Sequence, residues 1–249
     1  MKFKALITAL VAFLAVAVAG TALAEDGKVK GPFWNAVHAA GSITYKDGSS
    51  QSYNWDRGKI TALSSSSISI ERRDKVALTF AIDASTLVRN DHASYTLADL
   101  KAGLRATIVS QNGTAVVIRH IRGDGAPSGN DPSQVQLPLS KSVYGDGTVL
   151  FVDGTTKAVH YDRGQITAKD ASSLTIKRPD GKSVTLTYDA QTLVREQGEV
   201  YSVDKLEVGE RAMFFSESGK AVLIRCVSRA KDAGAKQAPA PAPAATDSK

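Results

Sequence analysis

Apolar and polar residues alternate along most of this chain. Leu78, Phe80 and Ile82 alternate with Ala77, Thr79 and Ala81, and Val184, Leu186 and Tyr188 alternate with Ser183, Thr185 and Thr187. A period of two, rich in β-branched and aromatic residues, predicts half-buried strands. Ile68 with Ile70, Leu174 with Ile176, Ala106 with Ile108 and Ala212 with Phe214 read the same way. Turn residues separate these runs. Asp47-Gly48, Asn112-Gly113, Asp153-Gly154, Pro179-Asp180-Gly181 and Ser218-Gly219 predict tight connections. The helical hint is one turn per half, Thr96 to Leu100 and Ser202 to Leu206, with Thr96 and Ser202 placed as N-caps.

The signals come in pairs because the chain is duplicated. Residues 53–119 recur without a gap as residues 159–225 at a constant offset of 106, with 29 identities in 67 positions. Such a repeat lets each apolar period be read twice. Each copy is predicted to hold about six strands, from near Ser42 to near Ile121 and from near Thr148 to near Val227. Short antiparallel strands with one helical turn suit a small closed or nearly closed barrel, a two-sheet sandwich being the alternative. The predicted architecture is all-β: two tandem small antiparallel barrels, residues 36–122 and 141–229. Each is large enough to bury one modest core and is expected to fold independently. Residues 123–140, rich in Gly, Pro, Ser and Asn, read as a linker that leaves the orientation of the barrels open. Residues 230–249, where Pro239, Pro241 and Pro243 stand among alanines, read as a disordered tail.

The N-terminus changes the expected location. Lys2 and Lys4 precede an apolar run from Ala5 to Gly20, and Ala22-Leu23-Ala24 makes a small-x-small cleavage site. Residues 1–24 therefore read as a signal peptide, so the protein is expected to be exported, periplasmic or extracellular, with no transmembrane segment after signal removal. A formal net charge of +6 favours anionic partners without specifying one. With Cys226 as its one cysteine, the chain forms no internal disulfide, and half-burial at a strand end is expected for that thiol.

Family resemblance rests on repeated short motifs. These are Gly-x-Ile-Thr at Gly58 and Gly164, Thr-x-Val-Arg at Thr86 and Thr192, and Leu-x-x-Gly-x-Arg-Ala at Leu100 and Leu206. A Ser-x-Thr-Ile strand at Ser173 and Gly-x-Ala-Val at Gly113 and Gly219 complete the set. Each copy resembles a bacterial domain of unknown function found in exported proteins, a small β-barrel in the OB-like or SH3-like size range. The resemblance implies an exported barrel and brings no reaction, ligand or catalytic residue with it.

Motifs of chemistry are sparse. His38, His92, His120 and His160 lack cysteine or carboxylate neighbours at metal-ligand spacing, so neither a metal nor a cofactor is expected. Nucleophile elbows and phosphate-cradling loops are missing, which argues against an enzyme. Arg122-Gly123-Asp124 spells an adhesion triplet within the linker. Charges that repeat are Asp56 and Asp162, Arg57 and Arg163, Asp83 and Asp189, Arg89 and Arg195, Arg105 and Arg211, and Arg119 and Arg225. Bidentate Asp-Arg pairs fixing strand ends account for that retention. Trp55 aligns with Tyr161, each just before Asp-Arg-Gly, so Trp55, Arg57, Tyr161 and Arg163 are the candidate ligand-binding residues. Rings beside guanidinium groups can stack bases or sugars, although core packing of the rings is the blander reading. The expected function is an exported, non-enzymatic binding or structural module of the cell envelope, with a protein, a glycan or an anionic polymer as partner. Extracytoplasmic nucleic-acid binding is the alternative.

Overall fold

The computed structural model describes residues 31–89, 96–121, 142–196 and 199–228. The expected signal peptide, linker, adhesion triplet and tail lie outside them. Among the described residues, regular structure is β apart from single 3-10 turns at Leu97–Asp99 and Val203–Lys205, where the helical hints fell.

Fourteen residues make β2 (Ser50–Leu63) long enough to pair three times. Its first part pairs with β1 (Ala36–Tyr45), its middle with β6 (Arg105–Gln111) and its end with β3 (Ser67–Arg72). A register shift between Ile60 and Ala62 bends it, as an extra residue in one strand does. From β3 the chain turns back into β4 (Ala77–Ala81), which meets β7 (Thr114–Ile121) in parallel at Ala81↔Thr114, and β7 pairs with β6. The circuit β2-β3-β4-β7-β6-β2 is a small closed barrel of five strands. Ile60, Ile68, Ile70, Ile108 and Ile118 fill its interior, each at most 1% exposed. A short strand, β5 (Leu87–Arg89), lies outside the ring, parallel to β7.

The second copy repeats these ladders. Its strands are β8 (Ser142–Phe151), β9 (Thr156–Lys169), β10 (Ser173–Lys177), β11 (Ser183–Thr187) and β12 (Leu193–Glu196). They are followed by β13 (Glu199–Tyr201), β14 (Arg211–Glu217) and β15 (Lys220–Ser228). β9 pairs with β10 and β14, β14 with β15, and β11 meets β15 in parallel at Thr187↔Lys220. Five strands close the first ring, not the six expected, because β1 is used elsewhere.

β1 and β8 pair with each other. Their antiparallel register sets Gly41 opposite Gly147, flanked by Ala40↔Thr148 and Ser42↔Asp146. Gly41 and Gly147 are equivalent residues, 106 apart, so a pseudo-two-fold axis passes through them and exchanges the flanking pairs. This is the isologous contact of a symmetric dimer, made within one chain. Close approach requires the glycine: a Cβ on Gly41 would lie 2.5 Å from the Asp146 carbonyl oxygen. The sequence left the orientation of the copies open, and this ladder sets it.

Alternation then gives the central sheet β2-β1-β8-β9 one apolar face. Ala39, Ile43, Tyr45, Tyr53 and Trp55 pack there with Val149, Phe151, Val159 and Tyr161, joined by Phe33, Met213 and Phe215. This core is drawn from both copies, and each fully buried large side chain in it contributes roughly 1.5–3 kcal/mol.

Each copy buries a cluster of charge at the end of a strand. Ile68, Ile70 and Arg72 share the inward face of β3 by the same period of two. Arg72 donates from Nη1 to Asp56 at 2.9 Å and forks onto Asp74 at 3.0 and 2.6 Å. Arg178 does the same with Asp162 at 3.1 Å and Asp180 at 3.2 and 2.7 Å. The Asp-Arg pairing expected at strand ends is thus present with Arg72 and Arg178. Arg72 and Arg178 also repeat at the same offset, within a shared Arg-x-Asp, and that signal was there to be read. Asp56 is 2% exposed, so Arg72→Met is expected to cost about 3 kcal/mol by leaving a buried carboxylate without its guanidinium counter-charge, His38 being its remaining partner. Urea denaturation checks this, and adding Asp56→Asn should return part of the loss.

Candidate functional site

Trp55 and Tyr161 are fully buried. Neither ring offers a face to a base or a sugar, so the stacking role expected of them is corrected. Cross-strand register explains the burial: Trp55, Val109, Val117 and Leu87 stand side by side on β2, β6, β7 and β5. Tyr161, Phe215, Leu223 and Leu193 form the equivalent row. Both rows face the shared core.

Two residues further along the same strands the chemistry changes to arginine. Arg57, Thr107, Arg119 and Arg89 form the next row, and Arg163, Met213, Arg225 and Arg195 its counterpart. Of the expected binding residues, Arg57 is 6% exposed and Arg163 half-buried. Arg57 donates to the Trp34 carbonyl at 3.3 Å. Burial lowers its pKa, Arg105 and Arg73 lower it further by like-charge repulsion, and the result is about 10.

The polar face of the central sheet carries a second arrangement. Ser52, Ser42, Asp146 and His160 lie in one row across β2, β1, β8 and β9, and Asn54, Ala40, Thr148 and Ala158 in the next. The pseudo-two-fold axis exchanges the rows. They floor an open groove of about 870 Å³, with Asn112 and Ser218 at its two hairpin tips. Those tips also correspond, and both adopt φ of +50°.

Symmetry breaks at one end of the groove. Where the first copy has Ala40 and Asn54, the second has Asp146 and His160. His160 Nδ1 lies 2.6 Å from Asp146 Oδ1, and its Nε2 lies 3.1 Å from Asp162 Oδ2, an ion pair set off the hydrogen-bond direction. Tyr144 stacks on the imidazole at 6.2 Å, and the Arg178 guanidinium sits 4.2 Å over the Tyr144 ring. Charge therefore runs from the exposed Asp146 through His160 to the buried Asp162 and Arg178. In the first copy His38, on β1, reaches Asp56 at 2.9 Å. Sequence alignment of the copies pairs no histidine with another, yet two of them meet equivalent aspartates from different strands.

Asp162 above all, and then Asp146, raise the His160 pKa against the opposing effect of burial, to about 9. An imidazolium held by a carboxylate at each nitrogen has no basic lone pair to accept a proton. Among the described residues no cluster of His, Cys, Asp and Glu is arranged to hold a metal ion. Cys226 is half-buried against the interior of the second copy.

No family model matches the chain, and no curated protein matches it.

Because the folded-state pKa of His160 lies above its ordinary value of 6.5, its stabilising effect is complete below pH 6.5 and is lost as the pH rises through about 9. After discounting for solvent screening, a difference on the order of 1 kcal/mol is expected between these limits. His160→Asn should flatten the wild-type difference in denaturation midpoint between mildly acid and alkaline buffer. An equal pH dependence in both proteins would remove the proposed ion pairs.

Proposed function

We propose that the chain is an exported, non-enzymatic binding module of the cell envelope, built as two tandem barrels fused about a pseudo-two-fold axis. Its ligand is a neutral glycan strand lying in the groove across that axis. One observation carries the reading: both copies line the groove with short hydroxyl and carboxamide side chains at equivalent positions. Ser42 answers Thr148 and Asn112 answers Ser218, and each of these groups both donates and accepts hydrogen bonds. A chain of sugar hydroxyls has the same dual capacity at a regular spacing. The carboxylate of Asp146 adds an acceptor at one end, and its negative charge disfavours a polyanion there.

Titration calorimetry with chito- and malto-oligosaccharides tests the reading. Binding should change by less than about twofold between about 50 and 200 mM salt, since no phosphate is neutralised. Thr148 is exposed on the floor, so Thr148→Arg should block the groove while leaving the melting temperature unchanged. Oligosaccharide binding undiminished by Thr148→Arg, or none by the wild type, would overturn it. Affinity for single-stranded DNA that falls by orders of magnitude over the same salt range, and is lost in Thr148→Arg, would favour the nucleic-acid alternative.

A further inference from the structure

A second site stands on the first copy, away from the groove. The segment before β1 brings Trp34 and Asn35 against the outer face of the first barrel. Arg57 donates to the Trp34 carbonyl at 3.3 Å, Arg73 donates to Asn35 Oδ1 at 3.2 Å, and the Arg73 guanidinium lies 5.9 Å from the Trp34 ring centre. Arg105 is on the same face as Arg57, because Arg57 is opposite Thr107 and Arg105 is two residues from it. Arg57 and Arg73 thus both contact the Trp34–Asn35 segment, and Arg105 lies on Arg57's side of the sheet, close enough to repel it; Arg57 is nine-tenths buried, and Arg73 and Arg105 are exposed.

Neighbouring carboxylates are committed elsewhere. Asp56 accepts from His38 and Arg72, Asp74 is forked by Arg72, and Glu71 pairs with Lys75. Among the described residues no carboxylate forms an ion pair with Arg57, Arg73 or Arg105. Burial of a guanidinium without a counter-charge is costly, and crowding by two more cations adds to the cost. Next to Arg57 in its row, the Thr107 hydroxyl is buried without a hydrogen-bond partner. A bound anion would relieve the repulsion and meet several N–H donors at once.

We propose that Arg57, Arg73 and Arg105, beside Trp34, form an oxyanion site that takes a dianionic phosphoryl group. Three planar forks supply paired N–H donors around a tetrahedral oxyanion, where a lone carboxylate would leave most of them unmatched. The site belongs to the first copy: Pro179 replaces Arg73 in the second, although Arg163 and Arg211 remain.

Trp34 serves as the reporter, since the other tryptophan, Trp55, is sealed in the core. The full chain is titrated with inorganic phosphate, with acetate and a phosphodiester oligonucleotide as comparisons, by fluorescence and calorimetry. Phosphate should shift the emission and bind more tightly than acetate. Arg73→Gln with Arg105→Gln should weaken it about tenfold or more, the loss expected for charge-assisted hydrogen bonds. Both residues are exposed, so circular dichroism and melting should match the wild type. Trp34→Phe should abolish the fluorescence signal while calorimetry still registers binding, and Thr148→Arg should leave phosphate binding intact, separating this site from the groove. Absence of binding at millimolar phosphate, or binding unchanged by the double substitution, would overturn the proposal. Binding of the oligonucleotide without binding of phosphate would also overturn it, in favour of a surface that tracks a polymer backbone.

Discussion

The pairing of Gly41 with Gly147 is the constraint on which the rest depends. At the pseudo-symmetry centre of this antiparallel ladder each strand meets its own equivalent, so side chains at the two positions would face each other at the closest approach. A glycine at both positions lets β1 and β8 approach closely, where a Cβ at Gly41 would overlap the partner backbone. Once this ladder forms, the apolar faces of the two copies cover each other. Trp55 and Tyr161 turn from surface aromatics into the centre of a common core.

The same ladder makes the groove. Side chains on a strand alternate between faces, so placing Ala39, Ile43 and Tyr53 in the core puts Ala40, Ser42 and Ser52 on the other side. Core and groove are two faces of one sheet. That is why the groove gathers Ser42, Ser52, Asn54 and Thr148 on its floor, with Ala40 and Ala158 among them, and why its lining follows the pseudo-two-fold axis.

Duplication kept what the fold needs and relaxed what it does not. The buried ion clusters, Asp56 with Arg72 and Asp74 and their counterparts Asp162, Arg178 and Asp180, recur in both copies, where each ties the end of one strand to its neighbour. The chemistry specific to one copy falls where the copies differ. Asp146 and His160 replace Ala40 and Asn54 in the groove, and Arg73 replaces Pro179 beside Trp34. Identity between the repeats reports stability, and difference reports specialisation.

How far the sequence reaches follows from the range of the forces involved. Strand periods, the positive-φ turns at Asn112-Gly113 and Ser218-Gly219, the single helical turns and the duplication are local, and each was legible. Arg57 was also singled out, though for a place beside Trp55 and not beside Trp34. Arg72 and Arg178 carried a readable signal in their repeated Arg-x-Asp, while the approach of His38 and His160 to equivalent aspartates carried none, because they reach them from different strands. What tertiary structure alone decided is which edges meet. A period of two states that Trp55 and Ser52 lie on opposite faces, but not which face is covered. That depends on the fit between β1 and β8, a contact between residues about a hundred positions apart, whose energy comes from shape and burial and not from any local pattern.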